Sequence, residues 1–148
     1  MKTIHLKFNG YWSESFNSFL PGISGIYCVF ACRVNRAENA LVVERLLYIG
    51  AAEDINLEIS THELFLDWLK QLKANETICY SYAAVGKNEL KLISECLIAE
   101  HRPLLNPDHS LNHVHEDIVF CLSGDIEKLH GEFTVRVKPN DDSACYAK

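Results

Sequence analysis

The chain has no concentrated patch of basic charge and no long apolar run. No three basic residues are adjacent, and 20 acidic residues outnumber 14 basic ones, for a net charge of −6. A surface that grips duplex DNA through its phosphates concentrates lysine and arginine, because that attraction supplies most non-specific affinity. Scattered bases on an acidic chain therefore disfavour nucleic acid as a partner, although a local patch could still assemble in three dimensions. No apolar stretch approaches the roughly 20 residues of a membrane helix, so no membrane partner is expected. The opening Met1-Lys2-Thr3-Ile4-His5 lacks the basic flank and apolar core of a signal segment, and a cytoplasmic location is expected. Only four prolines and seven glycines are present, which excludes collagen-like and low-complexity chains.

What is present is an ordinary globular balance. Apolar residues make up 48% and charged residues 23%, enough to build one core in a chain of 148 residues. Cysteines at 28, 32, 79, 96, 121 and 145 sit mostly among apolar neighbours such as Tyr27-Cys28-Val29 and Phe120-Cys121-Leu122. Buried, reduced thiols are expected, in keeping with a reducing compartment. Cys28 and Cys32 share one face of an apparent strand, but no second Cys or His pair follows at zinc-site spacing, so no structural metal is expected.

Periodicity divides the chain. Alternation over residues 3–8 predicts a short strand that ends in a turn at Asn9-Gly10. Residues 25–34 and 41–50 are β-rich and joined by a short polar segment, which predicts an antiparallel hairpin. After Gly50 the apolar spacing changes to threes and fours through Ile55, Ile59, Phe65, Leu69 and Leu72, which predicts a helix over about 54–73 with Asp54 as its N-cap. A strand follows near 78–85, then a helix from Glu89 to His101 closed by Pro103. Two further strands are expected at 118–122 and 133–137, followed by a frayed polar tail.

The order of these elements carries a recognisable pattern. Gly25-Ile26-Tyr27 on one strand and Tyr48-Ile49-Gly50 on the next are followed by a helix, a strand and a second helix. That second helix ends in Leu97-Ile98, four residues, Pro103, two residues and Asn106. Over about residues 23–107 this resembles the GIY-YIG nuclease family, and His62-Glu63 with Asp67-Trp68 resembles its small stand-alone bacterial members. The resemblance implies an α/β sandwich of the α+β kind, with a central, mainly antiparallel sheet and flanking helices. Residues 1–22 would form an N-terminal strand and connection, 23–107 the core, 108–138 extra C-terminal strands on the same domain, and 139–148 a tail.

The resemblance also implies a reaction. In active members a carboxylate on the second helix holds one divalent metal, Mg or Mn, an arginine on the first helix steadies the scissile phosphate, and the two tyrosines handle the attacking water. Such a site neutralises the charge that develops on the phosphate and activates the nucleophile. Tyr27 and Tyr48 occupy the tyrosine positions and Asn106 that of the family asparagine. The arginine position, eight residues after Gly50, is Glu58, and the glutamate position, nine before Pro103, is Ser94. Glu95 is adjacent, but one step along a helix turns a side chain by about 100°.

Each candidate also has a plainer reading. Tyr27 and Tyr48 fit as strand aromatics with a hydroxyl reaching water. Asn106 fits as a turn or backbone cap. His62 could carry a proton or simply pack. His101, His109, His113 and His115 could hold a metal or line a polar loop. Three functions remain open. The first is a pseudo-nuclease that acts as a binding or regulatory module for a protein partner, with no cofactor expected. The second is a metal-dependent endonuclease with a site rebuilt on Glu58 or Glu95. The third is an acidic mimic of nucleic acid, acting as an inhibitor or immunity factor.

Overall fold

A computed structural model describes residues 1–107 and 111–137. His109, Cys145 and the expected tail lie outside the described residues. Among the described residues the fold is mixed α+β, with six strands: β1 (Lys2–Ser13), β2 (Gly25–Asn35), β3 (Ala40–Ala52), β4 (Glu76–Ala84), β5 (Ile118–Gly124) and β6 (Glu132–Val135). They form a single sheet in the order β3-β2-β4-β1-β5-β6. Helices α1 (Ile55–Ser60), α2 (Phe65–Lys70) and α3 (Leu90–His101) pack on it. Among the described residues, no helix is long and apolar enough to cross a membrane.

Strand β2 sits between β3 and β4 and is buried on both faces from Gly25 to Cys32. That is why it reads as a continuous apolar run instead of an alternating one. Alternate side chains feed two separate cores. Ile26, Cys28, Phe30 and Cys32 join Ile93, Cys96 and Leu97 of α3 on one face. Tyr27, Val29 and Ala31 join Ile55, Ile59 and Trp68 of α1 and α2 on the other. The expected hairpin of residues 25–50 is therefore present, with β2 and β3 antiparallel.

Strand β1 corrects the expectation of a turn at Asn9-Gly10. It continues to Ser13 and changes partner on the way: Lys2 to Phe8 pair in parallel with β5, and Asn9 to Ser13 pair antiparallel with β4. The register shifts between Asn9 and Trp12, so this dipeptide is a bulge within a strand. The Asp125 carboxylate accepts the Gly10 N–H at 3.0 Å. A Cβ on Gly10 would lie 2.9 Å from the Cβ of Ser81, so glycine serves close packing between strands.

The single helix expected over 54–73 is two. Asp54 caps α1 as anticipated, accepting the Leu57 N–H at 3.1 Å. Helix α1 then stops at Ser60, where the Thr61 N–H and the hydroxyls of Ser60 and Thr61 all converge on the Leu57 carbonyl, the hydroxyls at 3.1 and 2.7 Å. Such back-bonding by Ser and Thr is weakly unfavourable within a helix. Helix α3 ends as anticipated, with Arg102 in the left-handed region at φ 44° just before Pro103.

The cysteines also differ from expectation. Cys32 and Cys79 are joined as a disulfide, while Cys28, Cys96 and Cys121 are free. The register pairs Cys32 with Thr77 and Phe30 with Cys79, so the two cysteines are diagonal neighbours on one face of β2 and β4. Their Cα atoms are 6.2 Å apart, within the range a disulfide spans. A separation of 47 residues hides this proximity from spacing rules.

Across the buried β2, Arg45 of β3 reaches Glu76 of β4 through two hydrogen bonds of 2.9 and 2.7 Å. The same guanidinium donates to the Gln71 carbonyl, and Glu76 accepts the Lys73 N–H, so the pair fastens the α2–β4 connection to the sheet. Arg45 foremost holds the Glu76 carboxyl down to about 2, from an ordinary value of 4.5. The folded-state value is the lower one, so this stabilisation is complete above pH 4.5 and is lost as pH falls toward 2. Glu76→Gln should remove that share of acid sensitivity. Urea midpoints of wild type and variant are expected to converge as pH falls from 4.5 to 2, and parallel curves would contradict the assignment.

Candidate functional site

The site begins with two glycines. Tyr27 pairs with Gly50 across the β2–β3 ladder, and a Cβ on Gly50 would overlap the Cζ and hydroxyl of Tyr27. The phenol thus lies across the glycine backbone, and only a residue without a side chain fits beneath it. Gly25 is constrained similarly, since a Cβ there would overlap the Ala83 carbonyl of β4. A bulge opposite Val29 and Phe30 places both Leu47 and Tyr48 on the Tyr27 side of the sheet. The rings of Tyr27 and Tyr48 are consequently neighbours, with centroids 6.2 Å apart.

Helix α1 brings Glu58 to this pair. The Tyr27 hydroxyl donates to Glu58 Oε2 at 3.1 Å. The break after α1 brings in His62, whose ring packs 4.5 Å from the buried Trp68 and meets Tyr48 edge-on at 5.3 Å. His62 Nδ1 accepts the Leu64 N–H at 3.0 Å, so the neutral ring carries its proton on Nε2. Tyr48, Glu58, Thr61, His62 and Glu63 line a pocket of about 240 Å³.

The electrostatics oppose ionised tyrosines. Burial first, then the Glu58 carboxylate, push the Tyr27 hydroxyl far above its ordinary value. Tyr48 moves the same way, through burial and then Glu58 and Glu63. Burial lowers His62 below its ordinary value, and the two carboxylates only partly offset it, so this histidine is neutral at physiological pH. The pocket therefore holds two carboxylates, one phenol, a threonine hydroxyl and a neutral imidazole. Such a set accepts hydrogen bonds and favours positive charge.

The remaining candidates are placed elsewhere. Asn106 acts as a strand mimic at the edge of β3: its Oδ1 accepts the Ile49 N–H at 2.8 Å and its Nδ2 donates to the Ile49 carbonyl at 2.9 Å. The neighbouring Leu105 N–H donates to the Leu47 carbonyl at 2.9 Å, so this segment covers the open edge beside Tyr48. Ser94 lies on α3, whose buried side chains pack on the other face of the sheet, and its hydroxyl donates to the Lys91 carbonyl at 3.2 Å. Glu95 is buried, with Oε1 2.6 Å from His113 Nδ1 and Oε2 accepting the His113 N–H at 3.0 Å. His101 accepts the His130 N–H on Nε2 at 2.9 Å and faces the Leu97 carbonyl with Nδ1 at 2.9 Å. His101 and His113 are thus drawn into separate pairings. Among the described residues, no three of His, Cys, Asp and Glu form a metal-holding group.

Sequence reasoning identified the tyrosines, Glu58 and His62, and gave Glu63 only a place in a pattern. It missed Thr61 because periodicity had assigned it to a helix interior. It also missed a second, apolar cavity of about 570 Å³ lined in part by Trp12, Phe16, Phe19 and Val34. No protein-family model, curated protein or solved structure matches the chain.

The contact of Tyr27 with Gly50 sets a steric test. Gly50→Ala should cost about 1–3 kcal/mol by overpacking. Gly86→Ala has nothing within 4 Å of the added carbon and should stay within about 0.5 kcal/mol. Urea unfolding of both variants checks this, and equal effects would contradict the packing of Tyr27 on Gly50.

Proposed function

We propose that this chain is a catalytically degenerate GIY-YIG-like domain, a pseudo-nuclease that serves as a binding or regulatory module for a protein partner. The observation that carries the reading is the hydrogen bond from Tyr27 to Glu58 at 3.1 Å. In the family resemblance the Glu58 position belongs to the arginine that steadies the phosphate. A carboxylate there repels a phosphate by about 4 kcal/mol at 4 Å and a near-surface dielectric. It also fastens the Tyr27 hydroxyl as a donor, raised in pKa, when activation of water asks for a proton acceptor.

Two further observations support the same reading over a rebuilt endonuclease. Ser94 supplies no carboxylate at the family's metal position, and both oxygens of Glu95 are engaged by His113. A net charge of −6 adds long-range repulsion to the local one. The protein partner follows from what such a surface still offers: a small polar pocket that favours positive charge.

Incubation with plasmid, single-stranded DNA and RNA in Mg or Mn tests the proposal. Loss of one strong electrostatic group costs about a hundredfold to a thousandfold in rate, so wild type should show no cleavage above background. Glu58→Arg should strengthen DNA binding about tenfold at low salt, part of the repulsion removed. Robust metal-dependent cleavage by wild type that is abolished by Tyr27→Phe would defeat the proposal.

A further inference from the structure

The pocket beside Tyr48 contains a donor and acceptors that lack partners. The His62 side chain is only 6% exposed, and its Nε2–H edge stands 3.9 Å from Glu58 Oε2, beyond hydrogen-bonding distance. With Nδ1 already accepting the Leu64 N–H, the Nε2–H faces the pocket without an acceptor. Glu58 gives Oε2 to Tyr27 and keeps Oε1 free. Among the described residues, no lysine or arginine pairs with Glu58 or with the exposed Glu63.

These features narrow the ligand. Two carboxylates at the pocket ask for a cation. The Nε2–H of His62, unpaired at the pocket wall, takes an acceptor adjacent to that cation. A lysine or arginine side chain supplies the charge without the acceptor. A phosphate or carboxylate supplies the acceptor and is repelled. A transition-metal ion needs the Nε2 lone pair, which the hydrogen bond at Nδ1 commits to a proton. The group that carries an ammonium beside a carbonyl oxygen is the first residue of a peptide.

We propose that this pocket captures the free N-terminus of a partner protein. The α-ammonium binds between Glu58 and Glu63, and the first carbonyl oxygen accepts the His62 Nε2–H. This rests on the protein-binding reading above and names the chemistry of the partner. The tilt of the ring against Trp68 at 4.5 Å holds the N–H in place, and the volume of about 240 Å³ accommodates one residue. Capture of a terminal amine by clustered polar groups is an established mode of peptide recognition. Here the two carboxylates supply what backbone acceptors supply elsewhere.

The test is an NMR titration of the full chain at pH 7 with the tripeptide amide Ala-Gly-Ala and its N-acetylated form. The free peptide should shift the signals of Tyr48, Thr61, His62 and Glu63 and bind at least about tenfold tighter than the acetylated one, a difference of about 1.4 kcal/mol. Raising the pH to 10 should weaken binding by more than about tenfold, because an α-ammonium deprotonates near pH 8. Glu63→Gln, at an exposed position, should weaken it several-fold without altering the fold, and His62→Phe should do so while retaining the ring against Trp68. Equal binding of the acetylated peptide, equal binding of Nα-acetyl-lysine amide, or no shift in the pocket at about 10 mM peptide, where even a Kd of 1 mM gives near saturation, would overturn the proposal. Plasmid cleavage is read separately, so such a failure leaves the pseudo-nuclease reading standing.

Discussion

Strand β2 has no exposed side chain between Gly25 and Cys32, and the placement of Tyr27 follows from that constraint. A strand buried on both faces must divide its residues between two cores, which sends Tyr27 toward α1 and α2 and Cys28 toward α3. Once Tyr27 is committed to its layer, its phenol has room only over a residue without Cβ, and Gly50 provides it. The hydroxyl then emerges beside α1, where the side chain at position 58 determines what it meets. That side chain is a carboxylate.

A carboxylate at that point changes the chemistry of the whole pocket. It accepts the hydrogen bond of the Tyr27 hydroxyl, and after burial it helps hold Tyr27 and Tyr48 in their neutral forms. Together with Glu63 it makes the cavity favour cations, while burial keeps His62 from neutralising it. Under the proposed reading, glutamate stands where an arginine would steady a phosphate, and its charge repels that group. The proposed function and the proposed peptide N-terminus both derive from this single reversal of sign.

Much of the scaffold was legible because its signals are local. The two tripeptides marked β2 and β3, the Asp54 cap marked the start of α1, and Pro103 marked the end of α3. What was hidden depends on contacts distant in sequence or on side-chain competition with the backbone. Asn9-Gly10 resembles a turn until β4 and β5 are placed on either side of it. The periodicity from Ile55 to Leu72 continues through a break at which two hydroxyls cap the Leu57 carbonyl. Cys32 and Cys79 become neighbours only through the β2–β4 register. Of the site, Tyr27, Tyr48, Glu58 and His62 are gathered as one cluster, whereas Asn106 covers a strand edge and Ser94 belongs to a helix on the other face. A linear motif locates residues along elements, but it does not say which groups the backbone will claim first.

Burial first, and Glu58 second, hold Tyr27 as a neutral donor. Tyrosine 13Cζ NMR across a pH titration reads this directly, because the ring carbon shifts when the phenol ionises. Tyr27 should remain a phenol through pH 10, the ordinary value for tyrosine, and Glu58→Gln should move its ionisation downward. Half-ionisation of Tyr27 at or below pH 10 in the wild-type chain would contradict it.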